Sequence, residues 1–242
     1  MNNTPKPIIH LLELTGTPIL DQLRIEEALL RADSRNWCII NHGAPPAIVM
    51  GISGIPDKLI NYPLLCQNPV PVPVIRRFSG GGTVFIDPNT VFVTFICNEQ
   101  HLNVRCYPQH VFQWSGRFYQ PVFEGLDFQL KENDYILGNK KFGGNAQYMR
   151  KDRWLHHSSL LWDYDADAMQ CLLIPEKAPA YRENRSHSDF LSKLKDFIPS
   201  KKILHDKVLR VLHQQFDVED ILLHNIKEIT TVPHRQATAR IK

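Results

Sequence analysis

The chain has 242 residues, of which 43% are hydrophobic and 22% charged, and its formal net charge is +3. That is enough apolar material to bury a substantial core, and too small a charge excess to attract nucleic acid regardless of sequence. No apolar run is long enough to span a bilayer, so neither a nucleic acid nor a membrane is expected as a partner.

Met1 to His10 has no basic region followed by an apolar run and no arginine-rich amphipathic pattern. A cytoplasmic location follows as an expectation, or an organellar one if a transit peptide has been removed. Thr17-Pro18 followed by Leu20, Leu23, Ala28 and Leu29 reads as an N-cap, a proline at the first helical position and an amphipathic helix ending near Asp33. This should be the first helix. Short β-rich runs follow at Trp37 to Asn41, Ala47 to Gly51, Val72 to Arg77, Thr83 to Ile86 and Val91 to Cys97, separated by Gly, Pro and Asn clusters. Prolines 69, 71 and 73 impose an extended approach, and the lack of intervening helices predicts largely antiparallel pairing.

From Pro108 to Leu126 apolar residues recur at helical spacing, with Pro121 expected to kink or split the helix. Further strands are predicted at Asp127 to Leu130, Asp134 to Leu137, Gly144 to Arg150 and Trp154 to Trp162. Helices are predicted at Ala166 to Leu173, Ser188 to Asp196 and Lys201 to Phe216. Strands in the middle with helices at both ends make an α+β fold, taken as a single domain over residues 1–242. The five cysteines, Cys38, Cys66, Cys97, Cys106 and Cys171, are widely spaced and form no CxxC pair. Reduced thiols and no structural zinc are expected.

Three segments can carry chemistry. The first is Arg76-Arg77-Phe78-Ser79-Gly80-Gly81-Gly82-Thr83, between two predicted strands. As a plain hairpin tip it needs no ligand. As a site, its glycines let a ligand lie against backbone N–H donors, and its arginines offer charge-assisted bonds to a carboxylate or phosphate. No Gly-Lys-Ser/Thr follows and the spacing is not that of a dinucleotide loop, so a different anion site is needed. The second is Gly138-Asn139-Lys140-Lys141-Phe142-Gly143-Gly144-Asn145-Ala146-Gln147, either a solvated hairpin or a lysine held beside small residues where it can stabilise carboxylate and phosphate charge. The third is His156-His157-Ser158-Ser159-Leu160-Leu161 on a strand. Adjacent strand histidines point to opposite faces, which argues against a metal, and no nucleophile elbow is present, which argues against a Ser-His hydrolase.

Taken together, Arg-Arg-x-Ser-Gly-Gly-Gly, Lys-x-Gly-Gly-x-Ala and His-x-x-Leu-Leu, in this order, resemble the lipoate-protein ligase, octanoyltransferase and biotin-ligase superfamily, closest to lipoate-protein ligases. The resemblance runs from about Leu20 to Phe216. It implies a mixed, largely antiparallel β-sheet flanked by α-helices, the biotin/lipoate protein ligase catalytic domain related to class II aminoacyl-tRNA synthetases, with an apolar acyl tunnel ending at the glycine loop. It implies Lys141, rather than Lys140, as the catalytic lysine. Arg77, Ser79, Gly80, Gly81, Gly82, Thr83, Asp87, Gly144, Asn145, Ala146 and His157 are implied as the substrate or acyl-adenylate site. No metal ligand is assigned to a side chain.

The activity implied is ligation: lipoate and ATP with Mg²⁺ give lipoyl-AMP, and the lipoyl group passes to a lysine of an apo lipoyl domain. The implied acceptors are E2 subunits of 2-oxoacid dehydrogenases and the glycine-cleavage H protein. An ATP-independent octanoyl or lipoyl transferase is the alternative, but no cysteine occurs between Tyr107 and Gln170, where that chemistry needs its thiol. A non-catalytic acyl-adenylate-binding homologue is a third reading. It is motivated by Ile86-Asp87-Pro88-Asn89-Thr90 standing where the family has a His-Asp pair and Gly-Asn, and by the expected absence of the C-terminal accessory domain of conventional ligases, which a separate accessory subunit could supply.

Overall fold

The computed structural model describes residues 5–67 and 71–241. Pro69 and the first four residues of the Met1 to His10 stretch lie outside the described residues.

In chain order, β1 (Ile8–Thr15) and α1 (Ile19–Ala32) are followed by β2 (Trp37–His42) and β3 (Ala47–Met50). Two short helices, α2 (Pro56–Leu59) and α3 (Tyr62–Cys66), precede β4 (Val74–Arg76), β5 (Val84–Ile86) and β6 (Thr90–Asn98). Next come α4 (Glu99–Leu102) and α5 (Pro108–Tyr119), then β7 (Phe128–Lys131), β8 (Asp134–Leu137), β9 (Lys140–Arg150) and β10 (Arg153–Leu161). The last part holds α6 (Ala166–Met169), α7 (His187–Phe190), α8 (Lys201–Gln215), β11 (Asp217–Ile221), α9 (Lys227–Thr231) and β12 (Ala239–Arg240).

Eight strands form one sheet in the order β11-β1-β2-β6-β10-β9-β8-β7, and four form a smaller sheet, β12-β4-β3-β5. β1 runs parallel to both β2 and β11, and β3 runs parallel to β4; the remaining pairings are antiparallel. The architecture is therefore the mixed α+β arrangement expected from the sequence.

Strand alternation sorts the large sheet into two faces. Val91, Val93, Phe95 and Cys97 of β6 join Ile9, Leu11 and Ile40 in a core closed by α5 and α8 through Val111, Trp114, Phe118, Leu204, Val208 and Leu212. The alternate residues of β6 face α1 and the small sheet: Ile96 packs with Leu29, Leu30, Trp37 and Leu155, and Phe92 with Ile19, Leu23, Val49 and Ile86.

Several local expectations change. Thr17 is not the cap of α1; Pro18 occupies that position without a side-chain hydrogen bond, and Asn41 instead takes the Thr17 carbonyl at 2.9 Å. α5 stops at Tyr119, one residue before its C-cap Gln120, because Pro121 lacks the N–H that would continue it. β9 starts at Lys140, not Gly144, so both lysines of the second segment lie on a strand. β1 and β11 were not anticipated.

Phe118 is fully buried and meets Phe95 edge-on at 4.8 Å. Phe118→Ala should lower unfolding stability by about 3–5 kcal/mol, read as a shifted midpoint at unchanged slope in urea denaturation.

Candidate functional site

Between the large sheet and the small one lies a cavity of about 540 Å³. The glycine loop, the lysine strand and His157 all line it, so the three segments singled out by sequence converge. The lining is partly apolar, with Ile19, Val49, Phe85, Phe92, Phe112 and Leu161, and partly polar, with Glu132 and Asp134 beside Lys141, Lys177, Arg182 and His187.

Arg77 shapes the glycine loop. Its guanidinium is buried, and Nη2 donates to the carbonyls of Gly80 at 3.0 Å and Gly82 at 2.8 Å. Burial pushes its pKa down to about 10, with Glu26 opposing, so it stays a cation at neutral pH. The loop is also pinned from above, where Gly80 N–H donates to the Gln147 carbonyl at 3.1 Å. Gly81 has φ +115°, and a Cβ there would sit 2.5 Å from Arg77 Nη2 and 2.8 Å from the Asn145 carbonyl. Only glycine fits. Gly82 has open space around the same position. Thr83 lines the cavity with its Oγ1 buried and without a partner.

Lys141 extends from β9, and its Nζ lies 2.7 Å from Asp134 Oδ1. The other oxygen of Asp134 accepts from the Tyr181 hydroxyl at 2.9 Å. A Cβ added at Gly144 would press on Ser159 Oγ at 3.3 Å and touch Lys141 Cε and Nζ at 3.7 Å, an ordinary contact. The Lys141 carbonyl accepts from Ser192 N–H at 2.8 Å, which anchors its backbone to the segment after α7. Asn145 bridges strands, donating to the Asn133 carbonyl at 2.9 Å and accepting from the Ser158 hydroxyl at 2.9 Å. Ala146 is buried and pairs with His157.

His157 and His156 point to opposite faces, as strand geometry requires. His157 Nδ1 lies 3.0 Å from Glu26 Oε1 and 3.0 Å from Thr94 Oγ1. Glu26, fully buried on α1, also accepts from Thr94 Oγ1 at 2.7 Å and from Gln22 Nε2 at 2.8 Å. With the Thr94 hydroxyl donating to Glu26, the Glu26–His157 contact is a hydrogen bond that Nδ1 donates and the carboxylate accepts. On the far face, His156 meets the Tyr135 hydroxyl at 2.9 Å and Gln147 at 3.0 Å, and burial, aided by His157, pushes its pKa down to about 3.

Two residues expected in the site are placed elsewhere. Asp87 does not line the cavity; its carboxylate accepts from Asn89 N–H at 2.7 Å and caps the turn before β6. Ser79 is buried beneath the loop and is also absent from the lining. Conversely, Glu26, Asp134, Tyr181 and Arg182 were not anticipated. Arg182 is buried, stacks over Phe190 at 4.8 Å and keeps Nη2 without a partner. Burial, with Arg182 and Lys141 nearby, pushes the pKa of His187 down to about 4.

The model of the lipoyl protein ligase A/B catalytic domain matches residues 18–217, and the chain belongs to that family. Among curated relatives it is 24% identical to an inactive lipoate-protein ligase 2 of Plasmodium falciparum, over 88% of this chain and 71% of that protein. It is also 24% identical to a lipoate-protein ligase of Bacillus subtilis, over 82% of this chain but only 60% of the relative. Among solved structures, a lipoate-protein ligase A bound with ATP superposes with TM-score 0.74 at 18% identity, covering 93% of this chain and 92% of that one. A bi-partite lipoate protein ligase from Thermoplasma acidophilum, solved in a study of that ligase and its E2 lipoyl domain, gives 0.76 at 17% identity, covering 94% and 91%.

Two measurements follow from this geometry. His156 takes up a proton near 6.5 when unfolded but only near 3 when folded, so the unfolded state binds more protons between those values. Its contribution to stability is complete above about 6.5 and is lost as the pH falls towards 3. The urea midpoint should therefore drop less between pH 7 and pH 5 in His156→Gln than in wild type. Gly81→Ala forces an unfavourable backbone conformation worth about 1–3 kcal/mol; the urea midpoint should fall accordingly while circular dichroism stays native.

Proposed function

We propose that the protein is a lipoate-protein ligase that activates lipoate with ATP and delivers the lipoyl group to a lysine of an apo lipoyl domain. The observation that carries this reading is the meeting of the triglycine loop and the Lys141 ammonium in one cavity whose lining also includes apolar side chains. A fatty-acid-like chain lies against those side chains, and its carboxylate reaches the loop and the lysine.

In the first step a carboxylate oxygen attacks the α-phosphorus of ATP and pyrophosphate leaves, giving lipoyl-AMP. Lys141 sits where its charge can offset that of the carboxylate and the α-phosphate, and the Asp134–Tyr181 pair holds it in place. The unpartnered Nη2 of Arg182 fits an anionic group of the nucleotide. Magnesium would arrive on the phosphates and neutralise them, because Asp134 and Glu132, the carboxylates of the cavity lining among the described residues, have both oxygens engaged by Lys141, Tyr181 and the backbone of Ala180 and Tyr181. In the second step the acceptor amine attacks the acyl carbon, and AMP and a proton leave. ATP binding by the lipoate-protein ligase A neighbour and the pairing of the Thermoplasma ligase with an E2 lipoyl domain support the choice of co-substrate and acceptor; the glycine-cleavage H protein is a second acceptor of the same chemistry.

A second reading has one observation in its favour: the Plasmodium relative is an inactive ligase. A chain of that kind would bind lipoyl-AMP without transferring it. The thioester route of an ATP-independent transferase has less support, since none of the described residues lining the cavity is a cysteine.

Incubating the protein with ATP, Mg²⁺, lipoate and an apo lipoyl domain should release pyrophosphate and add one lipoyl mass to the domain. Lys141→Ala should cut that transfer on the order of 10²-fold or more while circular dichroism stays native. Transfer from an octanoyl carrier protein without ATP would instead establish the transferase, and tight lipoyl-AMP binding with no modified domain would establish the inactive homologue.

A further inference from the structure

The face of the large sheet turned away from the cavity carries a second cluster of ligating groups. Glu13 on β1 and His42 at the end of β2 lie on the same face, because the parallel register pairs Glu13 with Ile40 and Thr15 with His42. That face is covered by α8, whose Leu204 and Val208 pack on Ile9, Leu11 and Ile40. His205, between them on the helix, reaches back over the strands: its Nε2 lies 2.5 Å from Glu13 Oε1, and its ring meets that of His42 edge-on at 4.7 Å. One donor atom from each of the three residues falls within 4.8 Å of the other two.

We propose that Glu13, His42 and His205 form a binding site for a divalent transition metal of the zinc class. Two imidazole nitrogens and one carboxylate oxygen are the donor set such an ion prefers over magnesium or calcium, which take oxygen ligands. Tetrahedral bonds of about 2.0–2.1 Å put donors about 3.4 Å apart, and modest side-chain rotations at a partly exposed site reach that spacing. Three protein ligands leave a fourth position for water. Glu13, with 45% of its side chain exposed, gives the ion a way in.

The Asp206 carboxylate lies 3.6 Å from His205 Nδ1, on the ring nitrogen opposite the Glu13 contact, beyond hydrogen-bond distance, and its other oxygen is paired with Lys202. The nearby Lys201 ammonium does not compete for Glu13, since it donates to the Pro88 carbonyl at 2.9 Å and to Asn89 Oδ1 at 3.1 Å. The alternative is a simple His205–Glu13 hydrogen-bonded pair with His42 edge-on beside it, which needs no ion. A metal would fasten α8 to β1 and β2, three elements far apart in the chain, and it would do so independently of acyl transfer.

The test uses untagged, chelator-stripped protein without lipoate or nucleotide. Calorimetric titration with Zn²⁺ should give one ion per chain, and Co²⁺ should develop visible ligand-field absorption. Zn²⁺ at a hundredfold excess over Kd should raise the thermal midpoint by about 5–10 °C. His42→Ala and His205→Ala should each weaken binding tenfold or more. Glu13→Gln, at an exposed side chain, keeps the question decidable if a histidine variant fails to fold. Binding well below one ion per chain, or one-to-one binding unchanged by Glu13→Gln and by the histidine substitutions that fold, would overturn the assignment.

Discussion

The arrangement of the cavity depends on a carboxylate taken out of water. Glu26 is fully buried, and an isolated charge in that position would cost several kcal/mol. The cost is offset by hydrogen bonds from Gln22, Thr94 and His157 and by the positive charge of Arg77, whose own burial Glu26 counteracts. One side chain thus couples α1 to β6 and β10 and, electrostatically, to the glycine loop. Removing it would leave a buried guanidinium without its counter-charge and the His157 imidazole with Thr94 as its remaining partner.

β9 does for the polar part of the lining what Glu26 does for the interior. Its Gln147 carbonyl receives Gly80 N–H, its Asn145 spans to β8 and β10, and its Lys141 is tied to Asp134 and to Ser192. The loop and the ammonium are therefore held by one continuous strand, so their separation is a matter of strand geometry rather than loop conformation. Sites built on rigid elements hold their groups more precisely than sites built on loops.

Much of this was legible in the chain itself. Three glycines beside paired arginines, a lysine beside two glycines, and a histidine on an alternating strand are local patterns, and each carries its chemistry in a few residues. β1 was missed because Pro5 to Pro7 and the mixed alternation of Ile8 to Thr15 give it no hairpin partner nearby; its neighbours are β2 and β11, both parallel. Glu26 and Asp134 were missed for a related reason. Nothing adjacent to either in sequence distinguishes them from surface carboxylates, and their partners, His157 and Lys141, approach only through tertiary structure. Asp87 illustrates the converse: its sequence position sits near the glycine loop, yet its carboxylate serves a turn of the backbone.

The parallel pairing of β1 with β11 bears on how the chain reaches this state. Residues 8–12 gain their outer hydrogen-bonding partner only from residues 217–221. Until that late segment has been synthesised, one edge of β1 has open backbone donors and acceptors, the kind of edge that recruits foreign strands. Contacts of such long sequence separation also slow folding, because the loop they close must be ordered before they repay it. Pairing with β11 therefore waits for the synthesis of residue 221, and it moves the open edge of the sheet from β1 to β11.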